Sequence, residues 1–215
     1  MSTKAIEDVS VRIARAGKEL CDKGLVKGTS GNISARIPGA DSFLIKPSGA
    51  HMGRLNPDEL VLVDLEGNKI GGERDVSAET PMHAAIYKVR WDVQAVVHTH
   101  APTATASGIA GTEILPLQIE VFMLLPRGVP IVPFESPGSK ALAEAVQKKI
   151  LDFDAVILEN HGIITVGSTI EAACNLNEMV EEAAKIQLTA MMLAGKGAVS
   201  WAELEKKFKT ENATK

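Results

Sequence analysis

Apolar and polar positions recur with two different periods along this chain, and the switches between them mark its elements. From about residue 4 to 23, Ile6, Val9, Ile13, Ala16, Leu20 and Cys21 fall at helical spacing, and the stripe stops at Gly24. This predicts an amphipathic helix closed by a glycine C-cap. Short runs rich in β-branched and apolar residues follow at 33–37, 43–46 and 60–63, with Gly, Pro and Asn between them, and predict antiparallel strands. Glu66-Gly67-Asn68 reads as a hairpin turn. A helix is predicted from Pro81 to Arg90, with proline suited to its first turn and Met82, Ala85, Ile86 and Val89 recurring along it, and a strand from Val93 to His98.

After His100 the pattern predicts a small-residue helix, a loop through 115–117, an apolar segment at 119–125 and a strand-like run at 129–132. Residues 139–150 are amphipathic, 155–159 and 163–166 read as strands, and 169–194 as a long helix begun by Ser168 or Thr169. Ser200-Trp201-Ala202-Glu203 fits a capping box opening a last helix to Phe208. The order predicts a single α/β domain over 1–208, with a flexible tail over 209–215. Its expected form is three layers, a central and mainly antiparallel sheet covered by helices on both faces.

Composition adds exclusions. The 215 residues fit one domain with a substantial core, and a net charge of −4 gives no electrostatic footprint for nucleic acid. Cys21 and Cys174 lie far apart in helical patterns and read as buried thiols. No run approaches the ~20 apolar residues of a membrane span, and Met1–Asp8 lacks the apolar stretch of a signal peptide, so a cytoplasmic protein is expected.

The chemistry concentrates at strand ends. His98 and His100 are separated by one residue, so on a strand both imidazoles leave the same face and could share one ion. His161, at the polar break after Ala155–Glu159, is the candidate third ligand. Taken alone, a His-x-His pair is as readily a solvated turn. Glu79 stands where the Pro81 helix begins and could serve as a metal ligand or a base. Gly28-Thr29-Ser30-Gly31-Asn32 and Lys46-Pro47-Ser48-Gly49 have the glycine and hydroxyl content of phosphate-cradling loops, although each is also common as a plain turn. His83 and Tyr87 fall one and two helical turns after Glu79 and read as support for the site or as core packing. His51 has no partner spacing and is not counted as a ligand.

In order and spacing, Gly28-Thr29-Ser30-Gly31-Asn32-Ile33-Ser34, Ile45-Lys46-Pro47-Ser48-Gly49, Ser77-Ala78-Glu79 with His83 and Tyr87, Val97-His98-Thr99-His100 and Asn160-His161-Gly162 resemble the class II aldolase/adducin family over nearly the whole chain. The resemblance implies a zinc-dependent aldolase that reversibly cleaves a phosphorylated ketose, of the L-fuculose 1-phosphate kind, into dihydroxyacetone phosphate and a short aldehyde through a metal-stabilised enediolate. It implies one zinc ion per subunit, or another divalent metal, on His98, His100, His161 and Glu79, with Glu79 also the general base. The substrate phosphate falls to Thr29, Gly31, Asn32, Ser48, Gly49 and Ser77. The cross-subunit sites of relatives, with the long helix, imply a homo-oligomer, a tetramer. An epimerase, a dehydratase or a decarboxylase of a related sugar phosphate would use the same site. A non-catalytic adducin-like adaptor is a further alternative, opposed by retention of the histidines and Glu79.

The chain also departs from the family pattern. Ala78 stands where the fuculose-phosphate member has serine, and two tyrosines of that aldolase that act across a subunit boundary have no counterpart, Tyr87 being this chain's single tyrosine. Glu120 is the candidate catalytic acid on the aldehyde side, because the dehydratase and epimerase branches place an acid in that region.

Overall fold

A computed structural model describes residues 3–194 and Lys206. The predicted 200–208 helix, apart from Lys206, and the 209–215 tail lie outside the described residues. The first helix, α1 (Thr3–Asp22), buries Val9, Ile13, Ala16 and Leu20 and turns its charged residues outward. It ends as its sequence predicts: Gly24 takes a φ of 75°, and the Leu25 N–H reaches back to the Leu20 carbonyl at 3.0 Å.

The chain then lays down strands β1 (Asn32–Arg36), β2 (Ser42–Ile45), β3 (Val61–Asp64) and β4 (Lys69–Gly71), helix α2 (Thr80–Val89) and strand β5 (Ala95–Thr99). It continues through α3 (Pro102–Ile109), α4 (Ile119–Leu124), β6 (Ile131–Val132), α5 (Lys140–Ile150), β7 (Ala155–Leu158), β8 (Gly162–Gly167) and α6 (Ile170–Ala194). Thr169 opens α6 as expected, its hydroxyl accepting the Ala172 N–H at 3.0 Å.

All eight strands form one sheet in the order β4-β3-β2-β1-β5-β8-β7-β6. The sheet is mixed, which corrects the expectation of a mainly antiparallel one. Neighbours from β4 to β7 are antiparallel, whereas β6 lies parallel to β7. A parallel neighbour requires a crossover, and α5 supplies it between these two strands.

Strand residues divide alternately between two apolar clusters. Ile33, Ala35, Leu44, Ala95, Val97, Ile157 and Ile163 pack with α1, α3 and α6. Phe43, Ile45, Val96, Val156 and Ile164 pack with α2 and α5. The two clusters thus join the central strands to different sets of helices, and polar groups on those strands must find partners in the interior. Both cysteines are free, Cys174 buried and Cys21 half-buried. No described helix is long and apolar enough to cross a membrane.

Candidate metal centre and its carboxylate

The pairing of β5 with β8 assembles the histidines. Thr99 faces Ile163 across that antiparallel pair, so the end of β5 lies beside the turn that opens β8. That turn is tight: Asn160 adopts a φ of 57°, and the His161 N–H donates to the Leu158 carbonyl at 3.1 Å. The rings of His98, His100 and His161 converge, with centroids 5.1, 4.7 and 5.2 Å apart. One nitrogen from each can lie within 4.8 Å of the others. Gly162 is what allows this approach, because a Cβ there would stand 2.3 Å from the Thr99 carbonyl oxygen and 3.0–3.1 Å from the His100 and His98 rings.

Glu79 completes the cluster from a third element. It caps α2 through its backbone alone, and its side chain turns to the histidines, with Oε2 3.3 Å from His98 Nε2 and Oε1 3.4 Å from His161 Nε2. Asn32 lies opposite His98 in the β1–β5 pair and donates from Nδ2 to Glu79 Oε2 at 2.7 Å. Burial pushes the Glu79 carboxyl up, yet His98, His161 and the Asn32 amide together hold it below its ordinary value.

These residues fit a divalent cation. The His98 Nδ1 can only donate to the Ile163 carbonyl, 2.9 Å away, so the neutral ring presents the lone pair of Nε2 to the cluster. Burial pushes the His98 pKa down to about 4 and lowers that of His100, keeping both rings neutral and able to ligate. The Nε2 atoms of His98 and His100 stand 3.3 Å apart. A tetrahedron with ligand distances of ~2.0–2.1 Å has edges of ~3.3–3.4 Å, so these spacings suit a small cation. Glu79 Oε1 is buried and has no hydrogen-bond partner among the described residues.

The predicted phosphate loops meet beside this cluster. Lys46 Nζ donates to the Thr29 carbonyl at 2.9 Å, the Ser48 N–H to the Asp75 carbonyl at 3.0 Å, and the Glu79 N–H to Ser77 Oγ at 3.3 Å. Thr29, Ser48 and Gly49 are exposed, Ser77 is half-buried and Gly31 is buried, its φ of 64° required where the backbone passes His98. Lys46 is 3% exposed, and burial lowers its pKa to about 8. Asn32 commits its side chain to Glu79 and His83.

Glu120 is not brought to the histidines within one chain. It is exposed in the first turn of α4 and lines a cleft with Lys23, Glu178 and Lys185. His51 is also apart, its Nδ1 accepting the Gly53 N–H in a short 3-10 turn. Ser34, which closes the first family motif but carried no role in the sequence reading, is fully buried between His83 and Tyr87, at 2.7 and 2.8 Å. The available signal was a hydroxyl alternating with Ile33 and Ala35 on a buried strand.

The profile of the Class II Aldolase and Adducin N-terminal domain family matches residues 11–188. The chain belongs to that family. A 5-deoxy-D-ribulose 1-phosphate aldolase from Bacillus thuringiensis is 37% identical over 174 residues, 81% of each chain. A 3-oxo-tetronate 4-phosphate decarboxylase from Haemophilus influenzae is 31% identical, over 82% of this chain and 85% of its own. Among solved structures, an L-fuculose 1-phosphate aldolase superposes with a TM-score of 0.86 at 30% identity, covering 97% of this chain and 98% of its own. These relatives are named as enzymes, and this chain stands with the enzymes of the family.

Proposed function

We propose that this protein is a metal-dependent aldolase that cleaves a ketose 1-phosphate into dihydroxyacetone phosphate and a short aldehyde. The observation that carries this reading is the convergence of three imidazoles with a buried, anionic carboxylate whose Oε1 has no hydrogen-bond partner among the described residues. His98, His100 and His161 would hold the cation, zinc in the first instance. A cation held there would supply Lewis-acid polarisation of a hydroxy-ketone.

Glu79 then moves the proton. Its Oε1 takes or returns hydrogen at the carbon beside the carbonyl, while Oε2 stays on Asn32. Thr29, Gly31, Ser48, Gly49 and Ser77 would receive the phosphate through hydroxyls and backbone amides, and Asn32 would contribute from its backbone. Similarity to the Bacillus thuringiensis enzyme makes 5-deoxypentulose 1-phosphates the first substrates to try, ahead of L-fuculose 1-phosphate. A role for Glu120 at the aldehyde end would require a neighbouring subunit, consistent with a homotetramer. Similarity to the Haemophilus enzyme favours one second reading, a sugar-acid phosphate decarboxylase using the same carboxylate and cation.

The test is proton NMR of dihydroxyacetone phosphate in deuterated water with zinc-loaded protein. One hydroxymethyl hydrogen should exchange, chelation should stop the exchange, and Glu79→Gln should slow it about 10²–10⁴-fold. No exchange with zinc bound would sink the aldolase reading and turn the work to decarboxylation.

A further inference from the structure

Behind Glu79 a line of buried polar groups runs into the α2 side of the sheet, where Phe43, Ile45, Ile86 and Val96 would otherwise make a wholly apolar core. Ser34 and His83 are fully buried, and Tyr87 is 1% exposed. The directions of their hydrogen bonds follow from one end. The Glu79 carboxylate can only accept, so Asn32 must turn its NH2 to it. The Asn32 Oδ1 then faces His83 Nε2 and can only accept, so that nitrogen carries the hydrogen. Burial keeps His83 neutral, so its Nδ1 is an acceptor, and the hydroxyl 2.7 Å away on Ser34 must donate to it. The remaining lone pair of Ser34 takes the Tyr87 hydroxyl hydrogen across 2.8 Å.

We propose that Tyr87, Ser34, His83 and Asn32 form a one-way hydrogen-bond relay that fixes the Asn32 amide and anchors Glu79 Oε2, leaving Oε1 as the oxygen that exchanges the proton. His83 and Ser34 are positioning residues in this scheme, which rests on the reading of Glu79 as the base. The carboxylate sets the direction of every bond in this row, while Ser34 and Tyr87 hold the His83 ring, and through it the Asn32 amide, in place. Holding a base by a fixed donor on one oxygen restricts its orientations before substrate arrives.

The first experiment reads the tautomer directly, by long-range nitrogen-15 NMR of histidine-labelled protein at pH 7, with and without zinc. His83 should be neutral with hydrogen on Nε2 in both forms, and an Nδ1–H tautomer or an imidazolium would overturn the relay. The second compares His83→Gln, which keeps an N–H donor near the Nε2 position, with His83→Leu, which does not. His83→Leu should lower kcat for exchange on dihydroxyacetone phosphate about 10–100-fold with KM little changed, and His83→Gln should recover most of the loss. A folded His83→Leu protein with wild-type kcat, or equal losses in both variants, would overturn the proposal. If His83→Leu does not fold, the tautomer decides alone. If the wild-type protein shows no exchange, the functional reading falls, while the tautomer still decides the relay.

Discussion

At the scale of single residues, the centre depends on groups that carry no charge as much as on those that do. Gly162 has no room for a methyl group, with the Thr99 carbonyl 2.3 Å from where a Cβ would sit. Gly162→Ala should destabilise the protein by about 3 kcal/mol and lower its zinc content, read by thermal denaturation and metal analysis. An unchanged melting temperature would mean that the β7–β8 turn relaxes freely. The buried histidines have their own signature in pH. Burial takes His83 down to about 3 and His98 to about 4, from an ordinary 6.5. Below about pH 6.5 the unfolded chain takes up protons that the folded metal-free protein refuses. Stability should therefore fall as pH drops from 6.5 toward 4, by at most about 1.4 kcal/mol per unit for each histidine. Urea midpoints of the metal-free protein at pH 7, 6 and 5 measure it, and a flat series would contradict the burial of these rings.

At the scale of elements, helix ends hold the histidine-bearing segment. α3 begins two residues after His100 and has no capping side chain of its own; the α6 residue Glu181 does that work instead. Its carboxylate, 3% exposed, accepts the Thr103 and Ala104 N–H groups at 2.9–3.0 Å and the Thr103 hydroxyl at 2.7 Å. Glu181→Ala would orphan these donors and should cost about 2–3 kcal/mol, with faster hydrogen exchange at Thr103 and Ala104. Exchange as slow as in the wild type would show that another group caps the helix. Nothing local in the sequence announces this cap, since Glu181 lies far along the chain inside a long amphipathic stripe. β4 was equally silent, because Lys69 and Ile70 are exposed and leave no alternation to read. By contrast α1, α2, α5 and α6 were legible, each having one face against the sheet and one in water.

At the scale of the whole molecule, stability rests on the two apolar faces of the sheet more than on surface charge. Arg12 of α1 pairs with Glu171 of α6 at 2.7 Å and, chiefly by that hydrogen bond, holds the Glu171 carboxyl at about 2. The pair is more than a third exposed, so solvent screening limits it to less than about 1 kcal/mol, present above about pH 4.5 and lost as pH falls through about 2. Ile33 is fully buried between β1 and the α1 side. Ile33→Ala should cost about 2–5 kcal/mol and Arg12→Ala less than about 1, compared by chemical denaturation at pH 7. The reverse order would place the stability in the ion pairs.

By itself, the chain's pattern determined most helices, most strands and three histidines with a carboxylate at element ends. These signals are local: period, caps, and polar breaks after apolar runs are written within a few residues of where they act. Tertiary structure alone decided the rest. The parallel β6–β7 pair depends on where α5 returns the chain, and the meeting of His161 with His98 depends on the β5–β8 register. The Asn32 amide lies between Glu79 and His83 because β1 pairs with β5 so that Asn32 stands opposite His98. Which partner a polar side chain takes is fixed by its neighbours across strands and helices, and those neighbours come from distant parts of the sequence.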